Sequence, residues 1–95
     1  MPTRYNDGTP VEPEKFLLTR REIGARFGAL TFFPQPVHGE WTHEGVPYVD
    51  VNLRLDVVVE DTPDNAAFFL QLKQTLKERF RQIDIWIVSS EVRIT

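Results

Sequence analysis

The sequence predicts an α+β fold: a two-layer sandwich whose mixed sheet of about four strands carries its helices on one face, in the element order α-β-β-β-α-β. Three observations lead there. The run from Tyr48 to Glu60 alternates apolar and polar residues without a break, which is the period of a half-buried strand. After Pro63, the residues Ala66, Phe69, Leu72, Leu76 and Phe80 recur at three-and-four spacing, the stripe of a helix with one buried face. The closing run from Ile83 to Ile94 returns to a strand pattern, and strand, helix, strand in succession makes a right-handed crossover with parallel strands.

Taken in chain order, residues 1–13 combine Asn6, Asp7 and Gly8 with three of the seven prolines and few apolar side chains. Such a segment gains little from burial, so it is expected as a flexible tail ahead of a single domain spanning 14–95. Thr19 and Glu22 have the spacing of a capping box, Leu18 and Ile23 that of a hydrophobic staple, and Gly28 is placed to stop a helix. The spacing predicts a short first helix over Arg20 to Phe27.

A short strand follows at Leu30 to Phe33, ended by Pro34 and Pro36, which cannot donate to a ladder. The next strand starts at Val37 and turns back into the long one through His43, Glu44 and Gly45. A three-residue loop sets Thr42 opposite Val46 and puts Trp41 and Gly39 on the apolar face with Val49 and Val51, whereas a two-residue turn sends Trp41 to the polar side. In the three-residue register His38 lies across from Asp50 and Glu40 across from Tyr48. The second helix is expected from Thr62, Pro63 and Asp64, a capping oxygen, a first-turn proline and an acid at the positive dipole end, through to about Arg81. Ile83, Ile85 and Ile87 then share one face of a last strand and Trp86 and Val88 the other, with a bend at Ser89 and Ser90.

A chain of 95 residues, 41% of them apolar, closes one hydrophobic core. The absence of cysteine removes disulfides, thiolate metal sites and cysteine nucleophiles, which fits a reducing compartment and makes the cytoplasm the expectation. No stretch reaches the roughly 18 consecutive apolar residues that a spanning helix needs, and residues 1–13 have no signal-like apolar region, so no membrane association is expected. The formal charge of -3 says little about partners.

Trp41 and Tyr48, then Asp61, Thr62 and Pro63, with Phe68, Phe69, Leu72, Lys73, Leu76, Lys77, Arg79, Phe80 and Gln82 and the Ile85-Trp86-Ile87 run, give residues 17–94 a pattern that resembles a group of short, uncharacterised bacterial proteins. The resemblance implies a free-standing domain. It assigns no activity, cofactor or catalytic residue.

Four constellations are candidates for function. The first is apolar surface where polar residues are expected: Trp86 and Val88 on the outer side of the last strand, with Tyr48 and Val58 on the polar side of the long one. If those strands are neighbours, an aromatic and aliphatic patch forms on the side of the sheet that no helix covers, with Arg54 and Asp56 as its polar surround, and it suits a protein partner or a homodimer. The second is basic: Arg20, Arg21 and Arg26 on the first helix and Lys73, Lys77, Arg79 and Arg81 on the second form a phosphate-facing rim if both helices cover one face. The threonine-capped first helix resembles half of a helix-turn-helix, but the β-type stretch after Gly28 removes the recognition helix.

His38, Glu40 and Asp50 make up the third constellation, the weak metal or acid-base candidate in the three-residue register; its spacing matches none of the helical zinc motifs. Nucleophilic catalysis is the fourth and has the least support, since Ser89 and Ser90 lack a glycine-flanked elbow and Gly24, Gly28, Gly39 and Gly45 are too scattered for a phosphate loop. The sequence therefore leans away from an enzyme, implies no cofactor, and favours a binding or assembly module over a nucleic-acid accessory protein, with a metal-dependent hydrolase third.

Overall fold

The computed structural model describes all 95 residues. Helix α1 spans Pro13–Phe27, strand β1 Thr31–His43, strand β2 Val46–Asp56 and helix α2 Pro63–Arg79. The chain is α+β, with two helices and one two-stranded antiparallel sheet. The observed order is α-β-β-α, so the four-stranded sheet and its crossover are not formed. Two expected strands, 30–33 and the one starting at Val37, are a single β1, because the backbone continues through Pro34 and Pro36 as a bulge where the register shifts between Phe33 and Val37. Residues 83–94, expected as a last strand, carry no strand pairing.

Helix α1 begins at Pro13, seven residues earlier than the capping-box spacing suggested. Proline at the first helical position leaves no unsatisfied donor there, and Glu14 meets the positive dipole end. Its other end is as expected: Gly28 takes a left-handed conformation at φ 78° and its N–H donates to the Gly24 carbonyl at 2.8 Å. Helix α2 starts on Thr62, whose hydroxyl accepts from the Asn65 N–H at 3.2 Å.

The core lies between the two helices and the opening segment. Ile23 from α1, Leu72, Leu76 and Phe80 from α2 and its cap, and Tyr5 and Val11 are buried, and Phe80 is fully so. Phe16 tilts onto Phe80 with ring centroids 5.5 Å apart, while Phe27 stacks on Phe69 at 5.5 Å and meets Phe68 edge-on at 5.4 Å. The sheet adds Leu55, and Val57 follows just beyond β2, both partly buried against this cluster.

Of residues 1–13, expected as a flexible tail, 1–11 fold back on themselves and lie along β2, and Pro13 opens α1. Thr3 N–H donates to the Val51 carbonyl at 3.0 Å and Leu53 N–H to the Met1 carbonyl at 2.7 Å, so the segment covers the middle of the β2 edge. Tyr5 and Val11 supply the apolar burial that a count of apolar residues alone undervalued.

Candidate functional site

The hairpin decides which side chains face out. Its turn has two residues, Glu44 and Gly45, both at positive φ (51° and 77°), so His43 pairs with Val46, Thr42 with Pro47 and Trp41 with Tyr48. Two central residues of positive φ match the twist of the flanking strands, and this geometry displaces the three-residue loop expected from sequence. Shifting a register by one residue moves a side chain to the other face. Trp41 therefore joins Tyr48 instead of Val49 and Val51, and the two rings stack with centroids 4.5 Å apart and planes 17° from parallel.

Paired residues share a face, so one side of the hairpin carries Phe33 and Arg54, Val37 and Asn52, Gly39 and Asp50, and Trp41 and Tyr48. Leu53 and Leu55 point the other way: Leu55 reaches the core, and Leu53 lines an apolar hollow with Phe16, Leu17 and Phe32. The first side is thus the outer one. Trp41 and Tyr48 remain 48% and 42% exposed in spite of their stacking. Arg54 holds Asp56 through two hydrogen bonds of 2.8 and 2.9 Å and lies over the Phe33 ring at 5.1 Å. That pairing lowers the Asp56 carboxyl below the usual aspartate range and raises the guanidinium, with the hydrogen bonds as the larger cause.

Of the expected interface residues, Tyr48, Arg54 and Asp56 share this outer face. Val58 does not: it lies beyond the end of β2, in a polar hollow with Arg26, Phe27 and Glu60. It follows Tyr48 by ten residues, most of them strand, a span of about 33 Å when extended. Trp86 and Val88 are exposed in the closing segment, outside the sheet. Trp41, Phe33 and Val37 were missed. The signal that would have found them is Glu44-Gly45 read as a two-residue turn.

The basic rim is largely committed within the fold. Arg79 Nη1 donates to the Thr19 hydroxyl at 2.8 Å and to Glu22 at 2.9 Å, and Nη2 reaches the same carboxylate at 2.6 Å. Lys73 pairs with Asp84 at 3.3 Å, and Arg26 donates to Asn65 at 3.2 Å while lying 4.5 Å from the Phe68 ring centroid. Arg20 sits over Phe32 at 4.3 Å and Arg81 over Tyr5 at 4.8 Å. Arg21 and Lys77 have neither an ion-pair nor a ring partner.

The metal candidate comes apart in the same register. His38 pairs with Val51 and Glu40 with Val49, on the face that Leu53 and Leu55 share, while Asp50 pairs with Gly39 on the opposite one. No three histidine, aspartate or glutamate side chains converge as a cation site. Ser89 and Ser90 are exposed in the closing segment, outside any helix or strand. No helix is long and apolar enough to cross a membrane.

No family model matches the chain, and no curated protein and no solved structure matches it.

Proposed function

We propose that the protein is a non-enzymatic binding or assembly module whose working surface is the uncovered outer face of the β1–β2 hairpin. One observation carries this reading. Phe33, Val37, Trp41 and Tyr48 stand exposed on a single sheet face with no layer above them. Protein interfaces concentrate their binding energy in aromatic and arginine anchors of this kind, surrounded by polar groups. Here the stacked Trp41–Tyr48 pair is the anchor, and the Arg54–Asp56 pair, with its charges already matched, is the surround.

The test is binding by the full chain and by a Tyr48→Asp variant. Self-association is read by light scattering at about 100 μM, and heterologous partners by crosslinked capture from the host, the aromatic anchor being worth about 2 kcal/mol or more in either case. The expected result is a complex that Tyr48→Asp weakens at least tenfold. A strict monomer whose captured proteins are the same for both chains would remove the proposal.

A further inference from the structure

The segment after Ile85 has much of a strand's sequence pattern but joins no sheet. Trp86, Val88, Val92 and Ile94 share one parity, broken only by Ser90, and Ser89, Glu91 and Arg93 take the other with Ile87, close to the period-2 pattern of a pleated strand, yet none of residues 86–95 enters a ladder. Trp86 and Val88 are each 84% exposed. A strand of such composition left in water is a pairing hazard that chains ordinarily bury.

The chain is pinned just before this arm. Phe80 is fully buried, Asp84 is held against α2 by Lys73 at 3.3 Å, and Ile85 packs on the core. From Trp86 onward no backbone hydrogen bond returns the arm to its own fold. Ten extended residues reach about 33 Å, enough to leave the molecule they belong to.

The same chain offers an edge for it. The β2 edge is taken in its middle by the opening segment, through Val51 and Leu53. Along β1 nothing pairs on the outer side. Pro34 and Pro36 close the first half of that edge to a ladder, whereas Val37–His43 is free of proline and open to one. A seven-residue acceptor of about 23 Å is long enough to pair with most of the arm. The arm's charged side chains are one acid, Glu91, and one base, Arg93, which cancel.

We propose that two copies of this chain exchange their closing arms, Trp86 to Thr95 of each adding as a strand to the Val37–His43 edge of the other. This goes beyond the outer-face reading: it uses the free edge of β1 and names a second copy as the strand donor. Each chain carries one unpaired arm and one vacant edge, so a two-fold exchange occupies both, whereas a foreign strand would fill the edge and leave the arm bare. The sheet then grows beside Trp41 and Tyr48 instead of over them.

The chain lacks cysteine, so introduced thiols are unique. One chain carries Ser90→Cys and a second, differently tagged chain carries Thr42→Cys; the two are mixed, allowed to exchange, and treated with a short bismaleimide. A Val88→Asp/Val92→Asp chain and a Tyr48→Asp chain are weighed beside wild type by light scattering. The expected results are twice the chain mass for wild type, a single-chain mass for the arm variant, and a crosslink joining the two tags. Three results overturn the exchange: a wild-type monomer, a dimer that the arm variant leaves intact, or a Ser90→Cys/Thr42→Cys double variant whose crosslink closes within one chain. A dimer insensitive to the arm but split by Tyr48→Asp would end the exchange and leave the outer-face reading standing. A monomer with a Tyr48-dependent foreign partner would do the same.

Discussion

Arg79 on α2 grips Glu22 on α1 with two hydrogen bonds of 2.9 and 2.6 Å and spends a third, of 2.8 Å, on the Thr19 hydroxyl. The bidentate geometry is the strong form of an arginine–carboxylate pair, and the arginine side chain is only 10% exposed. Replacing Arg79 with alanine leaves a half-buried carboxylate and a buried hydroxyl without their donor, at a cost of about 2 to 3 kcal/mol. Urea unfolding of Arg79→Ala, Glu22→Gln and the double variant reads the coupling; additive effects would show that the pair does not tie the helices together.

Thr19 lies in the interior of α1, where its hydroxyl donates to the Lys15 carbonyl at 2.9 Å and accepts from Arg79. Thr19→Val is therefore expected to lower stability by about 1 to 2 kcal/mol while leaving helix content unchanged. Circular dichroism separates this from loss of a cap, which would shorten the helix.

The two-residue turn places Glu44, a residue with a Cβ, at φ 51°. Glycine accepts that conformation without a steric penalty, so Glu44→Gly is expected to stabilise the hairpin by a few tenths of a kcal/mol, and Gly45→Ala, at φ 77°, to destabilise it by about 1 kcal/mol. The midpoint of thermal unfolding distinguishes the two. If both lower it, the turn is of another kind.

At the opening segment the Tyr5 hydroxyl donates to Glu12 and accepts from Lys15 Nζ at 2.5 Å. The Tyr5 hydrogen bond, first among several contacts, holds the Glu12 carboxyl below the usual glutamate range. A carboxyl whose pKa is depressed in the folded state contributes stability above its unfolded value and loses it as pH falls through the folded one. Tyr5→Phe is thus expected to move the Glu12 titration, followed by NMR, upward toward the ordinary range, and to remove the share of stability that this carboxyl loses on acidification. An unmoved titration would show that Tyr5 does not set it.

Much of this was legible in the sequence. The α2 stripe gave Leu72, Leu76 and Phe80 as core because three-and-four spacing admits one buried face, and Thr62-Pro63 marked its start through local chemistry alone. Gly28 marked the end of α1 for the same reason. What escaped depends on partners distant in the chain. Thr19 and Glu22 match a capping box in spacing, yet Arg79, 57 residues beyond Glu22, claims both. Trp41 invites burial by its size, yet the conformation of Glu44 and Gly45 turns it outward beside Tyr48. The closing arm reads as a strand from Ile83 to Ile94, but periodicity cannot say which edge such a strand joins, or whose.

The outer face exists only in the register that pairs Trp41 with Tyr48. Nuclear Overhauser contacts between these two residues test it directly, and they are short-range whether or not a partner covers the face. Strong contacts between the Trp41 and Tyr48 rings, with His43 opposite Val46, are expected. Contacts from Trp41 to Val49 and Val51 in their place, with Thr42 opposite Val46, would turn the tryptophan inward and contradict the account.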